Sequence, residues 1–239
     1  MSSAPAISRF YKLAASRPDG DGHGVWLDER RLKTPARAPL TVPTAALAEA
    51  IAAEWNAQET RILPARMPLT ALSNAAIDRI EPERAAFARR LAAYGAHDLL
   101  CYRAAEPLNL AVRLARAWQP VLDWVHETHG ARLALAEGVI HVDQSPEALK
   151  ALEDAVAALD SFRLAALHVL TTSYGSLGLG LAVLGGRLGA AEAFEISRID
   201  EEFQIERWGR DEEADARTAR IREEAENGGR FLGLLQPVV

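Results

Sequence analysis

Leu164–Gly186 reads LAALHVLTTSYGSLGLGLAVLGG, 23 consecutive residues without a charged side chain. Its reading decides the fold. By length alone such a run could span a bilayer. It also carries His168, Thr171, Thr172, Ser173, Tyr174 and five glycines, so it is only modestly apolar. The reading adopted is a buried central helix of an all-helical domain, with the glycines allowing close helix contact.

The sequence around that run is helical in character. N-terminal to it, helices are expected over Asn74–Arg79, over Pro82–Tyr94, and from Pro107 to His129, where Gly130 closes the helix. Ser145-Pro146-Glu147 starts another that reaches Leu159, Ser161 can start the next, and Leu133–Val142 is open between loop and short strand. On the C-terminal side a helix is expected over Ile196–Glu213, ISRIDEEFQIERWGRDEE. At about 100° per residue, Ile196, Ile199 and Phe203 form one narrow stripe, while Ile205 and Trp208 point elsewhere beside Glu201. Glu202 and Glu206 share a flank. Two readings stay open. The helix is buried on two sides, with Arg198–Glu202 and Glu206–Arg210 as ordinary i,i+4 pairs, or it presents a docking face built on an aromatic anchor among charges.

The first 43 residues differ. Alternation around Phe10 and Tyr11 marks Ile7–Leu13 as β, Val25–Leu27 and Arg31–Thr34 flank a turn at Asp28–Arg30, and Pro39–Val42 ends at Pro43. Asp19-Gly20-Asp21-Gly22 is a loop that lacks the later acids of a calcium site. Thr44 caps a helix whose stripe is Leu47, Ile51 and Trp55, and Trp55 extends that stripe into the core. Pro64 and Pro68 punctuate the connection that follows. The expected architecture is α+β, a small β-rich domain with one helix over residues 1–72 and a larger helical domain over 73–239. The last dozen or so residues, after Asn227-Gly228-Gly229, are expected to be poorly ordered.

Of 239 residues, 49% are hydrophobic and 25% charged, ordinary for a globular protein. The single cysteine, Cys101, excludes an internal disulfide and reads as a small buried hydrophobe. Net charge is −6, unevenly spread: residues 1–43 hold seven Lys/Arg against four acids, and residues 192–226 hold thirteen acids against six arginines. Acidic C-terminal helices argue against nucleic acid as the main partner and favour one with a basic or mixed face. No signal core or Arg/Ser-rich presequence follows Met1, which points to a bacterial cytoplasm or a processed form.

Motifs for chemistry are weak. Counting G-x-G-x-x-G from Gly178 places Val183 at the third glycine, and Gly186-Arg187 stands where a phosphate loop needs Lys-Ser/Thr, so no nucleotide is expected. Asp123, His126 and His129 share one side of a helix as metal ligands could. No Glu-x-x-His and no second ligand-bearing helix accompany them. A small metal-dependent enzyme at that corner is the alternative reading. His97 and Cys101 lack a third orienting group for nucleophilic catalysis.

A resemblance enters at the acidic stretch. Ser197, Arg198, Ile199, Asp200, Glu201, Glu202, Phe203, Gln204, Ile205, Trp208 and Gly209 resemble a hallmark of the assembly chaperones that bind the alpha subunit of the F-type ATP synthase catalytic head. Arg9-Phe10-Tyr11-Lys12, Leu27-Asp28, Leu32-Lys33-Thr34-Pro35, Val42-Pro43 and Glu54-Trp55 with Gln58 arrive in that family's order. The resemblance spans residues 8–213 and is weak after Glu213. It implies an assembly factor, not an enzyme, that shields the beta-facing surface of the unassembled alpha subunit and needs no cofactor, metal or stable membrane insertion. Eukaryotic relatives would act in the mitochondrial matrix. The partner-binding residues it implies are Glu201, Glu202, Glu206, Trp208, Asp211 and Glu213.

Overall fold

A computed structural model describes residues 7–137 and 142–236. The fold is α+β, and the chain forms two compact units. The first comprises the residues up to Glu83, Asp160–Ala165 and the residues from Arg230 on; the second comprises Arg84–Leu159 and Ala166–Gly229.

The first unit holds a small antiparallel sheet of β1 (Ala14–Asp19), β2 (Gly22–Leu27), β3 (Arg30–Arg31) and β4 (Thr41–Val42). β2 is its spine. β1 pairs with it from Ala14↔Leu27 to Asp19↔Gly22, and β3 and β4 pair with opposite ends of β2. The charged Asp19–Gly22 loop is the β1–β2 turn, with Gly20 at φ +61° where a side chain would be strained. Helix α1 (Ala45–Asn56) begins where Thr44 Oγ1 accepts from Leu47 N. It packs on the sheet to bury Val25, Leu40, Val42, Leu47 and Ile51, each at most 1% exposed. Trp55 is buried at the end of that stripe, its carbonyl accepting from Tyr11 Oη at 2.6 Å.

Glu54 carries a structural task that periodicity could not reveal. The next helix, α2 (Pro68–Ala75), has no side-chain cap of its own. Glu54 supplies one from α1: its carboxylate accepts from Leu69 N at 2.7 Å, Thr70 N at 2.8 Å and Thr70 Oγ1 at 2.7 Å. A carboxylate at a helix N-terminus satisfies donors that the helix itself cannot.

In the second unit lie α3 (Arg84–Ala92), α4 (Leu108–His129) and α5 (Pro146–Ala157), with Ser145 capping α5. Gly130 ends α4 in the left-handed region, as its position after the periodic residues predicts. Leu133–Val142 contributes β6 (Ala136–Glu137), parallel to β5 (Tyr102–Arg103), and residues 138–141 lie outside the described residues.

Three expectations are corrected. Ile7–Leu13 forms only an isolated bridge at Ser8, because side chains take up its backbone groups, and the strand lies one step later at Ala14–Asp19. Leu164–Gly186 is two helices, α6 (Ser161–Tyr174) and α7 (Leu177–Leu184), broken at Gly175 with φ +67°. Among the described residues no helix is long and apolar enough to cross a membrane. Asp98, itself fully buried, braces the start of α7 by accepting from Gly178 N at 2.9 Å, while its other oxygen accepts from Leu100 N of its own turn at 3.0 Å. Third, the chain past Asn227 is helical to Leu234. Gly228 and Gly229 are packing sites there, a Cβ on Gly229 meeting that of Ala190 at 2.5 Å, and Phe231 beyond them is fully buried and stacks on Phe162. The expected boundary at 72/73 falls inside α2.

Glu54→Ala leaves the N–H groups of Leu69 and Thr70 buried without acceptors and should cost about 3 kcal/mol of stability in urea unfolding. A loss below about 0.5 kcal/mol would show that water replaces the carboxylate. A second test is pH-dependent. His129 lies edge-on to Trp124 at 5.3 Å, and burial lowers its pKa from 6.5. The ring is neutral when folded and takes up a proton on unfolding, so its contribution is complete above pH 6.5 and lost as pH falls through the lowered folded value. His129→Phe should flatten the fall in urea midpoint that sets in as pH drops below about 6.5.

Candidate functional site

The acidic stretch is three helical pieces. Helix α8 (Ala190–Ser197) stops where Ser197 Oγ donates back to Phe194 O at 2.7 Å. Arg198 leaves the helical region, α9 (Ile199–Trp208) follows, and Gly209 ends it at φ +89°. Helix α10 (Glu212–Leu234) then starts anew, with Asp211 Oδ1 accepting from Ala214 N at 2.8 Å. A glycine is required at 209 because the turn uses positive φ.

This segmentation sorts the side chains. Phe203 is buried at 3% exposure, and Ile199 and Ile205 are half-buried. Trp208, last in α9, is 81% exposed, the most of any large hydrophobic side chain among the described residues. Two guanidiniums lie over the Phe203 ring, Arg207 at 4.8 Å and Arg113 from α4 at 5.4 Å. Trp118, also of α4, donates from Nε1 to Ile196 O at 2.9 Å, satisfying a carbonyl near the end of α8.

Three acids of α9 are already paired. Both carboxylate oxygens of Glu206 accept from Arg113 Nη1, at 2.8 and 2.9 Å, an interaction that raises the Arg113 pKa. Glu201 pairs with Arg198 at 2.7 Å, and Glu202 lies 4.0 Å from Arg210. The i,i+4 pairings Arg198–Glu202 and Glu206–Arg210 are thus replaced: the break at Arg198 shifts the first by one residue, and Gly209 turns Arg210 away from the helix line. Asp211 caps α10, and Glu213 is exposed in its first turn, where the helix dipole favours an acid. Beside them a cleft of about 540 Å³ is lined by Arg113, Arg116, Ala117, Glu195, Ile199 and Glu202. Arg113 was invisible to sequence reasoning: it lies 93 residues from its partner and no local pattern marks it.

The Asp123/His126/His129 corner does not assemble. Asp123 accepts from Gln119 Nε2 at 2.8 Å, Arg132 lies 3.1 Å from His126 Nε2, and His129 turns against Trp124. Asp123 and His126 line a cleft with Arg132, Asp143 and a wall of Leu122, Leu133 and Leu135, and His129 is not among its lining residues. Among the described residues no group of three or more His, Cys, Asp or Glu could hold a metal. Cys101 is buried, and desolvation with the nearby Asp98 charge pushes its pKa up to about 12, unsuited to nucleophilic work.

Known proteins resemble this chain in sequence and in fold. The model of the ATP12 chaperone protein family matches residues 8–126. Mitochondrial protein atp12 of Schizosaccharomyces pombe is 25% identical over 222 residues, 88% of this chain and 76% of the relative. The crystal structure of Atp12 from Paracoccus denitrificans is 47% identical with a TM-score of 0.92, the match covering 96% of this chain and 98% of that one. An Asp-to-Lys mutant of the same Atp12p matches at 46% identity with the same TM-score and coverage. Sequence and fold agree over nearly the whole chain, and it belongs to the ATP12 chaperone family, the chaperones of ATP synthase assembly.

Proposed function

We propose that this chain binds the unassembled alpha subunit of ATP synthase and shields its beta-facing surface until the beta subunit takes its place. The observation that supports this reading best is Trp208, standing 81% exposed at the end of a helix whose other aromatic, Phe203, is buried. A lone exposed tryptophan within charges is the composition of a binding hot spot. Glu201, Glu202, Glu206, Asp211 and Glu213 form the polar rim around it, and a basic client group engages Glu206 by displacing Arg113.

The physical logic is mass action. A free subunit exposes the apolar surface meant for its neighbour, and covering it lowers the concentration of aggregating species. Release then needs only a better-matched competitor. Nothing in this scheme calls for a nucleotide cycle.

Co-expression with the alpha subunit tests it. Trp208→Ala should cost about 2 kcal/mol or more of binding and sharply reduce soluble complex. Glu206→Lys should reduce recovery further at low salt, since it repels both Arg113 and the incoming cation. Trp208→Ala should keep the parent's melting temperature because the indole is exposed, and Glu206→Lys should lower it only slightly, since the Arg113 pair it breaks is at the surface. Undiminished recovery from folded variants would remove these residues from the site.

A further inference from the structure

The segment Ile7–Leu13 is braced in an unusual way. Arg9 folds back over it, donating from Nε to Tyr11 O at 3.1 Å and from Nη2 to Lys12 O at 2.7 Å, while Nη1 reaches Gln58 O. The Asp28 carboxylate accepts from Lys12 N at 3.1 Å and Leu13 N at 2.9 Å, with Asp28 itself held at φ +54°. Asn56 takes both Ala14 N and Ala14 O, at 2.8 and 2.7 Å. Arg9 N donates to Thr60 O, and Ile7 O accepts from Ile62 N. Side chains and one short bridge thus take up Arg9 N and Ile7 O and the backbone groups from Tyr11 O to Leu13 O.

What this frame displays is apolar. Ile7, Phe10 and Leu13 are 63%, 58% and 60% exposed, spaced three residues apart, and Leu63 beside Ile62 is 41% exposed. Three large hydrophobic side chains held in water by a rigid backbone are characteristic of an interaction surface. With the backbone groups from Tyr11 O to Leu13 O taken, the exposed side chains are the larger part of what this segment offers a partner. Arg9, Lys12 and Arg61 outnumber Glu59 and the Asp28 carboxylate held by the segment, so an occupant with acidic flanks is favoured.

We propose that Ile7, Phe10 and Leu13 form a second docking site, separate from the Trp208 surface, for an apolar, acid-flanked segment of client polypeptide. The inference rests on membership of a chaperone family and does not depend on the alpha subunit being the client.

The probe is a fluorescein-labelled peptide of leucine and phenylalanine with aspartates and glutamates at both ends, titrated with the full chain. The parent should bind it, and the double variant Phe10→Ser/Leu13→Ser should bind about tenfold or more weakly. A lysine-flanked counterpart should bind more weakly than the acid-flanked peptide. Trp208→Ala should leave peptide affinity unchanged, which separates failure of this site from failure of the alpha-subunit reading. The double variant should keep the parent's melting temperature, since both residues are exposed. Equal peptide binding by parent and double variant would overturn the proposal. So would binding of the parent to phosphatidylglycerol vesicles in place of the peptide, or a self-association of the parent that the double variant loses.

Discussion

The buried ring of Phe203 is the constraint on which the acidic surface depends. It seats α9 against its own unit, and Arg113 of α4 lies over it while holding Glu206. One guanidinium thus performs two tasks, a cation–π contact that helps cover the ring and an ion pair that orients the neighbouring acid. With the helix fixed at residue 203, five residues of helical rotation carry the chain to Trp208 on the far side, and Gly209 ends the helix before the tryptophan can be folded under. The exposure of Trp208 is a geometric result of where Phe203 is buried.

Much of the fold was legible because its signals are local. Thr44 and Ser145 as caps, Gly130 as a left-handed stop and the Leu47–Ile51–Trp55 stripe each act through neighbours a few residues away, and each lies where the sequence put it. The failures have a common cause. Gly175, expected to serve close helix contact, is a break; Gly228 and Gly229, expected to open a poorly ordered tail, lie inside a helix. A glycine's role depends on what packs beside it, and Leu170 and Ala190 stand next to the latter pair only through tertiary structure.

The site shows the same division. The periodicity of Ile196–Glu213 put Phe203 and Trp208 on different faces and left open whether the second face is buried; Phe203 is buried and Trp208 exposed. Its ion pairs escape i,i+4 reasoning, which presumes an unbroken helix, because Arg198 and Gly209 interrupt this one. Glu54 and Arg113 could not have been assigned their tasks from the sequence. One caps a helix that begins fourteen residues later and the other meets an acid in a distant helix. The alternative metal corner dissolved for a related reason: a shared helix side is necessary for ligands to converge, and His129 is drawn instead to the indole of Trp124.

The pairing of Glu206 with Arg113 has an energetic consequence. Any cation that engages Glu206 must first evict Arg113, so docking there trades one ion pair for another and leaves their number nearly constant. Such an exchange contributes orientation and selectivity while adding little to net affinity. Grip must come from the indole, whose attraction is short in range and indifferent to ionic strength. A holder built this way clings through shape, and yields when a better-fitting surface is offered.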